Sequence, residues 1–379
     1  MKVRLGDYIE EYSVRNKKGE DIPVYSVTNT QGFCKDYFGK EVASKDKTTY
    51  KIVPRGCFAF NPSRINVGSV DWQRNEERVI VSPLYNVFSV SEQLDQQYLY
   101  YYLKSDFALQ RIRAVATGSV RDNLKLAMLY EFPIELPEIT EQRIIVDKLD
   151  RVKQIISLRE KEVQALDDLI KARFVEMFGE PVDNPIGWKT KTLQELVSDD
   201  CTISYGIVQT GDDQEEGIPV FRPVDIVNHI PVRTELKRTT EEISSRYKRT
   251  ILKGREMLIT VRANIADTCI VGEEFVGCNV GRGIVPIRTK EDEMVLEFLK
   301  YQIDSKHLND NIKALAKGIT LIQLNMEDLR EISLIVPPIE IQKVYVEFTK
   351  QVDKSKAVIQ KSLDETQLLF DSLMQKYFG

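Results

Sequence analysis

The chain has 379 residues, 42% of them hydrophobic, and a formal net charge of −5. That length holds two or three domains of globular composition. The acidic balance excludes a chain that is basic throughout, the usual mark of nucleic-acid binding, but leaves room for a local positive face. Five widely spaced cysteines with no C-x-x-C, and only two histidines, argue against a zinc site and for reduced thiols. No secretory apolar core opens the chain and no run reaches membrane-spanning length, so a cytoplasmic location without membrane contact is expected.

In chain order, short β-rich runs come first: residues 22–29, 51–60 and 78–90. A helical stretch, 96–116, follows. A glycine loop at 116–126 and a last strand at 130–137 then lead into a long helix over about 140 to 178. The order repeats. Strand runs at 217–226, 255–261, 267–272 and 283–287 precede a helical stretch at 294–316, a glycine loop at 316–326, a strand at 330–338 and a second long helix. A link at 180–187, with two prolines and a glycine, joins the halves. Each half is α+β.

The repeat is legible by self-comparison. Residues 99–179 and 299–379 align without a gap and share 19 identities in 81 positions, among them Pro137/Pro337, Gln142/Gln342, Val152/Val352, Phe178/Phe378 and Gly179/Gly379. Upstream the offset drifts: Gly56-x7-Arg64-x-Asn66 meets Gly254-x7-Arg262-x-Asn264, and Val3-x-Leu5 meets Lys191-x-Leu193. In the long helices, apolar residues recur at four-and-three spacing: Ile145, Leu149, Val152, Ile156, Val163, Leu166 and Ile170, then Val352, Ile359, Leu363, Phe370 and Leu373. That is a coiled-coil seam. Arg159 interrupts the seam where the second copy has Ile359, and Lys356 where the first has Ile156. The helices are therefore expected to pair with each other, antiparallel, as a spacer with pseudo-twofold symmetry. Two ordinary core helices are the plainer alternative.

Catalytic signatures are missing. There is no P-loop, and Gly281-x-Gly283 runs into a strand rather than a dinucleotide-binding helix. Asn61-Pro62-Ser63-Arg64 is only a partial echo of the Asn-Pro-Pro-aromatic tetrad of adenine methyltransferases, and reads as a turn. There is no serine elbow. His229 and His307 have no counterparts in the first half. An enzyme acting alone is not expected.

Four features suit DNA. Arg64/Asn66 and Arg262/Asn264 follow a strand, and arginine can bond guanine and asparagine adenine through two hydrogen bonds. A structural pair at a strand end is the alternative. The glycine loops carry Thr117, Gly118, Ser119, Arg121 and Asn123, then Lys317, Gly318, Thr320, Gln323 and Asn325, which suit phosphates and base edges but also an ordinary loop. Lys45, Lys47, Lys51 and Arg55, with Lys237, Arg238, Arg246, Lys248 and Arg249, form basic clusters that suit phosphates or plain solvent. Tyr98, Tyr100, Tyr101 and Tyr102 recur at helical spacing and read as core rather than as base-stacking rings. The stretches 29–50 and 222–250 differ most between the halves.

This pattern resembles the specificity subunit of type I restriction–modification systems. The motif P-x-x-E-Q-[KR]-x-[IV] is approached by Pro137, Glu141, Gln142, Arg143 and Ile144, and in the second copy by Gln342, Lys343 and Val344, with Ile341 in place of the glutamate. The preceding G-x5-L is met by Gly118/Leu124 and Gly318/Leu324. The resemblance implies target-recognition domains at 1–137 and 188–337, spacer helices at 138–180 and 338–379, and a linker at 181–187. It implies a non-catalytic chain that reads a two-part double-stranded DNA sequence across a fixed gap. It further implies docking of two adenine methyltransferase subunits, with motor–nuclease subunits able to join. S-adenosylmethionine, ATP and Mg²⁺ would then belong to those partners, not to this chain.

Overall fold

The computed structural model describes residues 2–35, 46–116, 123–227, 229–231, 236–318 and 322–379. It resolves into two compact units, one of Met1–Lys161 with Ile359–Gly379, the other of Glu162–Val358. Each unit therefore owns a globular part and a stretch of both long helices.

The long helices run over Ile139–Phe178 and Ile339–Phe378, 40 residues each, or about 60 Å at the α-helical rise. Proline holds the chain extended just before each begins. Gly179 closes the first at φ 70°, the left-handed conformation glycine takes without penalty. In the first unit, Ile145 and Leu149 share a core with Phe370, Leu373 and Phe378, while Arg159 further along donates to the Ser362 carbonyl at 2.5 Å and to the Thr366 hydroxyl. In the second unit, Lys356 Nζ donates to Asp167 at 2.5 Å and the Tyr345 hydroxyl to the Ile170 carbonyl at 3.2 Å. In each unit, partner numbers fall as residue numbers rise, so the pairing is antiparallel. Every seam position named above is buried or half-buried. The two charged interruptions, Arg159 and Lys356, are met by polar partners on the facing helix.

The globular part of the first unit holds a four-stranded antiparallel sheet in the order Ile9–Glu11, Asn86–Val90, Phe58–Phe60, Val70–Trp72, with a ribbon of Lys51–Pro54 on Arg78–Val81. The second unit has Glu256–Thr260 between Thr268–Val271 and Ile284–Ile287, and Ile218–Phe221 between Lys237–Thr239 and Asn279–Val280. In both, the strand that opens the unit pairs antiparallel with the strand before the long helix: Val3 opposite Ile134, Lys191 opposite Leu334. The sequence offset between Val3 and Lys191 is thus a structural equivalence.

Two expected strand runs split. Residues 51–60 form two strands because Gly56, at φ 86°, turns the chain between them. Residues 78–90 form two because residues 82–85 make a turn closed by Tyr85 N–H to the Ser82 carbonyl, 3.0 Å. Lys51, grouped above with the phosphate-binding candidates, is instead buried and donates Nζ to the Tyr85 carbonyl at 2.7 Å. The apolar strand around it leaves its stem no route to water. Four others of the basic clusters are also engaged: Arg55 Nη2 bonds the Asn75 carbonyl, Lys237 Nζ that of Gly211, Arg238 Nη1 that of Gly217, and Arg246 pairs with Glu242.

The tyrosine run falls in the helix Gln96–Lys104, and Tyr98, Tyr101 and Tyr102 are core residues. Their hydroxyls bond the Glu135 carbonyl, Asp150 and the Pro133 carbonyl at 2.9, 2.5 and 2.8 Å, as buried phenols require. Phe378, the last residue of the second long helix, packs its ring 5.0 Å from that of Tyr98. Its repeat mate Phe178 lies 4.7 Å from Phe298 and 5.5 Å from Tyr345 in the second unit.

Candidate nucleic-acid interface

In the first unit the sequence after Phe58–Phe60 turns at once. Asn61 Oδ1 accepts from the Ser63 N–H at 3.1 Å and its carbonyl accepts from the N–H of Arg64 and of Ile65, both 3.0 Å. Asn-Pro-Ser is chemistry that favours such a turn. A short 3-10 segment, Ile65–Val67, follows, closed by Gly68 at φ 86°. Ile65 is buried beneath it. Arg64 is exposed, with no side-chain partner among the described residues, and Asn66 is half-buried. Two cations brace the turn from the helices below. Arg113 Nε donates to the Asn66 carbonyl at 3.2 Å. Lys104 Nζ donates to the Gly68 carbonyl and, at 3.1 Å, to the Asn29 carbonyl. Burial pulls the Lys104 ammonium down to about 8.

In the second unit the corresponding turn follows Glu256–Thr260. Ala263 and Ala266 stand at φ 59° and 64°, a left-handed conformation that costs an alanine energy and marks a constrained turn. Thr260 holds it by donating its hydroxyl to the Asn264 carbonyl. Asn264 is exposed. Arg262 is half-buried and donates Nη2 to Gln323 Oε1 at 2.5 Å. Gln323 and Lys317 exchange backbone hydrogen bonds of 2.9 and 3.0 Å, closing the loop between them. Lys317 Nζ lies 3.3 Å from Asp328.

The structure thus joins two features the sequence kept apart. In both units the end of the glycine loop is hydrogen-bonded to the Arg-x-Asn turn: Leu124 N–H to the Pro62 carbonyl at 3.1 Å, Leu324 N–H to the Val261 carbonyl at 2.9 Å. Arg262, Gln323 and Lys317 form one cluster, with Asn264 two residues away. Thr117, Gly118, Ser119, Arg121 and Thr320, and Lys45 of the basic cluster, lie outside the described residues.

Sequence reasoning gave no role to the motif glutamines, and they turn out to attach each unit to its long helix. Gln142 is fully buried; its Oε1 accepts from the Asp95 N–H, and Nε2 donates to the Gln93 and Pro137 carbonyls, all at 2.9 Å. Gln342 repeats this with the Val295 N–H and the Glu293 and Pro337 carbonyls, at 2.9, 2.9 and 2.8 Å. Glutamine alone among side chains of this length offers one acceptor and two donors without a charge. The signal was the recurrence of one uncharged polar residue at the same place before both helices.

Among the described residues no group of His, Cys, Asp and Glu is placed to hold a metal ion, and no helix is long and apolar enough to cross a membrane.

The chain is thus a tandem of α+β units, each attached to a long helix and each with a polar turn bonded to the residue that ends its glycine loop. Residues 3–167 and 185–367 both match the model of the type I restriction modification DNA specificity domain, and the chain belongs to that family. It is 25% identical over 297 residues to the type I restriction enzyme EcoBI specificity subunit of Escherichia coli, a match covering 71% of this chain and 62% of that protein. The match to the putative MjaX specificity subunit of Methanocaldococcus jannaschii, 22% identical, likewise spans 62% of the relative. With the StySPI specificity subunit of Salmonella potsdam it shares 19% over 399 residues, covering 98% of this chain and 84% of the relative. The fold matches a chain from a study of complex assembly and conformational transition of the type I R-M system with a TM-score of 0.62, at 21% identity and over 97% of that chain. It matches the type I S subunit from M. genitalium with a TM-score of 0.56, at 14% identity.

Proposed function

We propose that this chain is the sequence-reading subunit of a type I restriction–modification complex. Each unit reads one half of a bipartite double-stranded DNA target, and the paired helices set the gap. One observation carries the reading. The same turn-and-loop assembly recurs in both units, while the chain around it differs, as two different half-sites require.

Direct readout is assigned to Arg64, Asn66, Arg262 and Asn264, with Gln323 and Lys317 supporting Arg262; Ser119, Arg121 and Thr320 are assigned to the same contact on their sequence alone. The partners are two adenine methyltransferase subunits, joined in a restriction complex by motor–nuclease subunits. S-adenosylmethionine, ATP and Mg²⁺ are assigned to those subunits, and this chain carries no catalytic group. Docking is supported by apolar residues left exposed on the long helices. Ile144, Ile155 and Leu158 in the first unit lie within an arc of about 60° at 100° per residue. Val344 and Val358 in the second unit stand 200 positions on from Ile144 and Leu158 and are exposed too. Matching apolar stripes are what two copies of one partner would cover.

The test is methylome sequencing of cells with and without the chain. Adenine methylation at one bipartite motif is expected to disappear with it. Methylation that persists at every motif would remove the proposal, as would methyl transfer by the purified chain alone.

A further inference from the structure

One small element occurs in both units at the same place and carries opposite chemistry. Immediately before the strand Asn86–Val90, residues 82–85 form a turn closed by Tyr85 N–H to the Ser82 carbonyl at 3.0 Å. Immediately before Ile284–Ile287, residues 281–284 form a turn closed by Ile284 N–H to the Gly281 carbonyl at 3.1 Å. The strand that follows each turn pairs with the strand leading to the Arg-x-Asn turn: Asn86 is opposite Phe60, and Ile284 opposite Thr260. The central residues are Pro83 and Leu84 in one unit, Arg282 and Gly283 in the other.

Both turns sit beside the proposed reading site. In the second unit the Gly283 carbonyl accepts from the Val261 N–H at 2.8 Å, and a Cβ on Gly283 would stand 3.5 Å from that of Arg262. In the first, Asn86 Nδ2 reaches the Leu124 carbonyl, the residue whose N–H bonds Pro62 two positions before Arg64.

What the turns present differs. Leu84 is 78% exposed, the highest value among the large hydrophobic residues of the described chain. Arg282 is exposed, has no carboxylate partner among the described residues, and rests its guanidinium 5.8 Å from the centroid of the exposed Tyr205 ring. A ring under the guanidinium holds the planar fork in place without occupying its N–H donors. A fixed fork with free donors suits the O6/N7 edge of guanine, and a bare leucine suits the C5-methyl of thymine.

We propose that this turn is a base-reading position in both units, with Arg282 reading a guanine in one half-site and Leu84 contacting a thymine methyl in the other. The assignment rests on the proposed function above. The test selects a randomised duplex library with the full chain and compares wild type, Arg282→Ala, Leu84→Ala and Leu84→Arg. Arg282→Ala is expected to erase a guanine preference of roughly tenfold or more at one position of one half-site and leave the other half-site untouched. Leu84→Ala is expected to weaken a thymine preference in the other half-site, and Leu84→Arg to replace it with guanine. A motif unchanged in all three variants overturns the inference. So does a uniform loss of affinity without change of motif, since that marks a phosphate contact. A wild-type selection with no bipartite motif overturns the functional reading itself, and with it this inference; the wild-type arm therefore separates the two failures.

Discussion

Arg64 and Arg262 occupy matching turns and are held differently. Arg64 has no side-chain partner among the described residues and sits on a turn braced from below, whereas Arg262 is already tied to Gln323. Replacing either with alanine is expected to relax one position of one half-site only, at about 1–3 kcal/mol each; binding selections with each variant measure this, and a recognition sequence that survives both changes would refute the contacts. The brace itself titrates. Lys104 has a folded-state pKa of about 8, below the ordinary lysine value near 10.4. Between those limits the unfolded chain holds more protons than the folded one, so this residue makes stability rise with pH across that window. Below pH 8 both states are protonated and the contribution is flat. Buried tyrosines and cysteines whose pKa is raised by burial act in the opposite sense towards pH 10, so the test is the difference: the urea midpoint of wild type minus that of Lys104→Met is expected to be more positive at pH 10 than at pH 7.5. Gln142→Leu would leave one N–H and two carbonyls buried without partners, a loss of about 3 kcal/mol or more, readable as a lower urea midpoint of the full chain.

At the scale of the element, the long helices were legible almost to the residue. Forty positions without an interior glycine or proline, and a seam at four-and-three spacing, leave little else for the chain to do. The strands were less legible. The runs 51–60 and 78–90 look continuous because their apolar residues are, but Gly56 and the 82–85 turn break each in two, and Lys51 goes into the core with its amine on a carbonyl. The candidate site was legible as separate pieces. That the glycine loop bonds the Arg-x-Asn turn depends on backbone contacts between residues sixty positions apart, which no local pattern encodes. The charged interruptions at Arg159 and Lys356 were visible, whereas their partners Thr366 and Asp167 became so only when the two helices were seen side by side. If the helices are a spacer, one heptad added to each lengthens it by about 10 Å, near three base pairs at 3.4 Å apiece. Methylome sequencing should then report a wider gap between unchanged half-sites, and an unchanged gap would rule the spacer role out.

For the whole molecule, duplication sets the stoichiometry expected of its partners. Leu158 and Val358 are 52% and 70% exposed at equivalent positions, one in each unit. In the proposed complex with two methyltransferase copies, Leu158→Asp and Val358→Asp are each expected to remove one, seen by native mass spectrometry as a shift from two to one. A complex that keeps both copies in both variants would place the docking surface elsewhere.

The socket made by Gln142 and Gln342 has a consequence over evolutionary time. Each grips only main-chain atoms of the unit it anchors, so the attachment is blind to which side chains that unit carries. A lineage could rewrite or trade an entire reading surface while the joint beneath it went on fitting, and new specificities could arise without redesign of the frame.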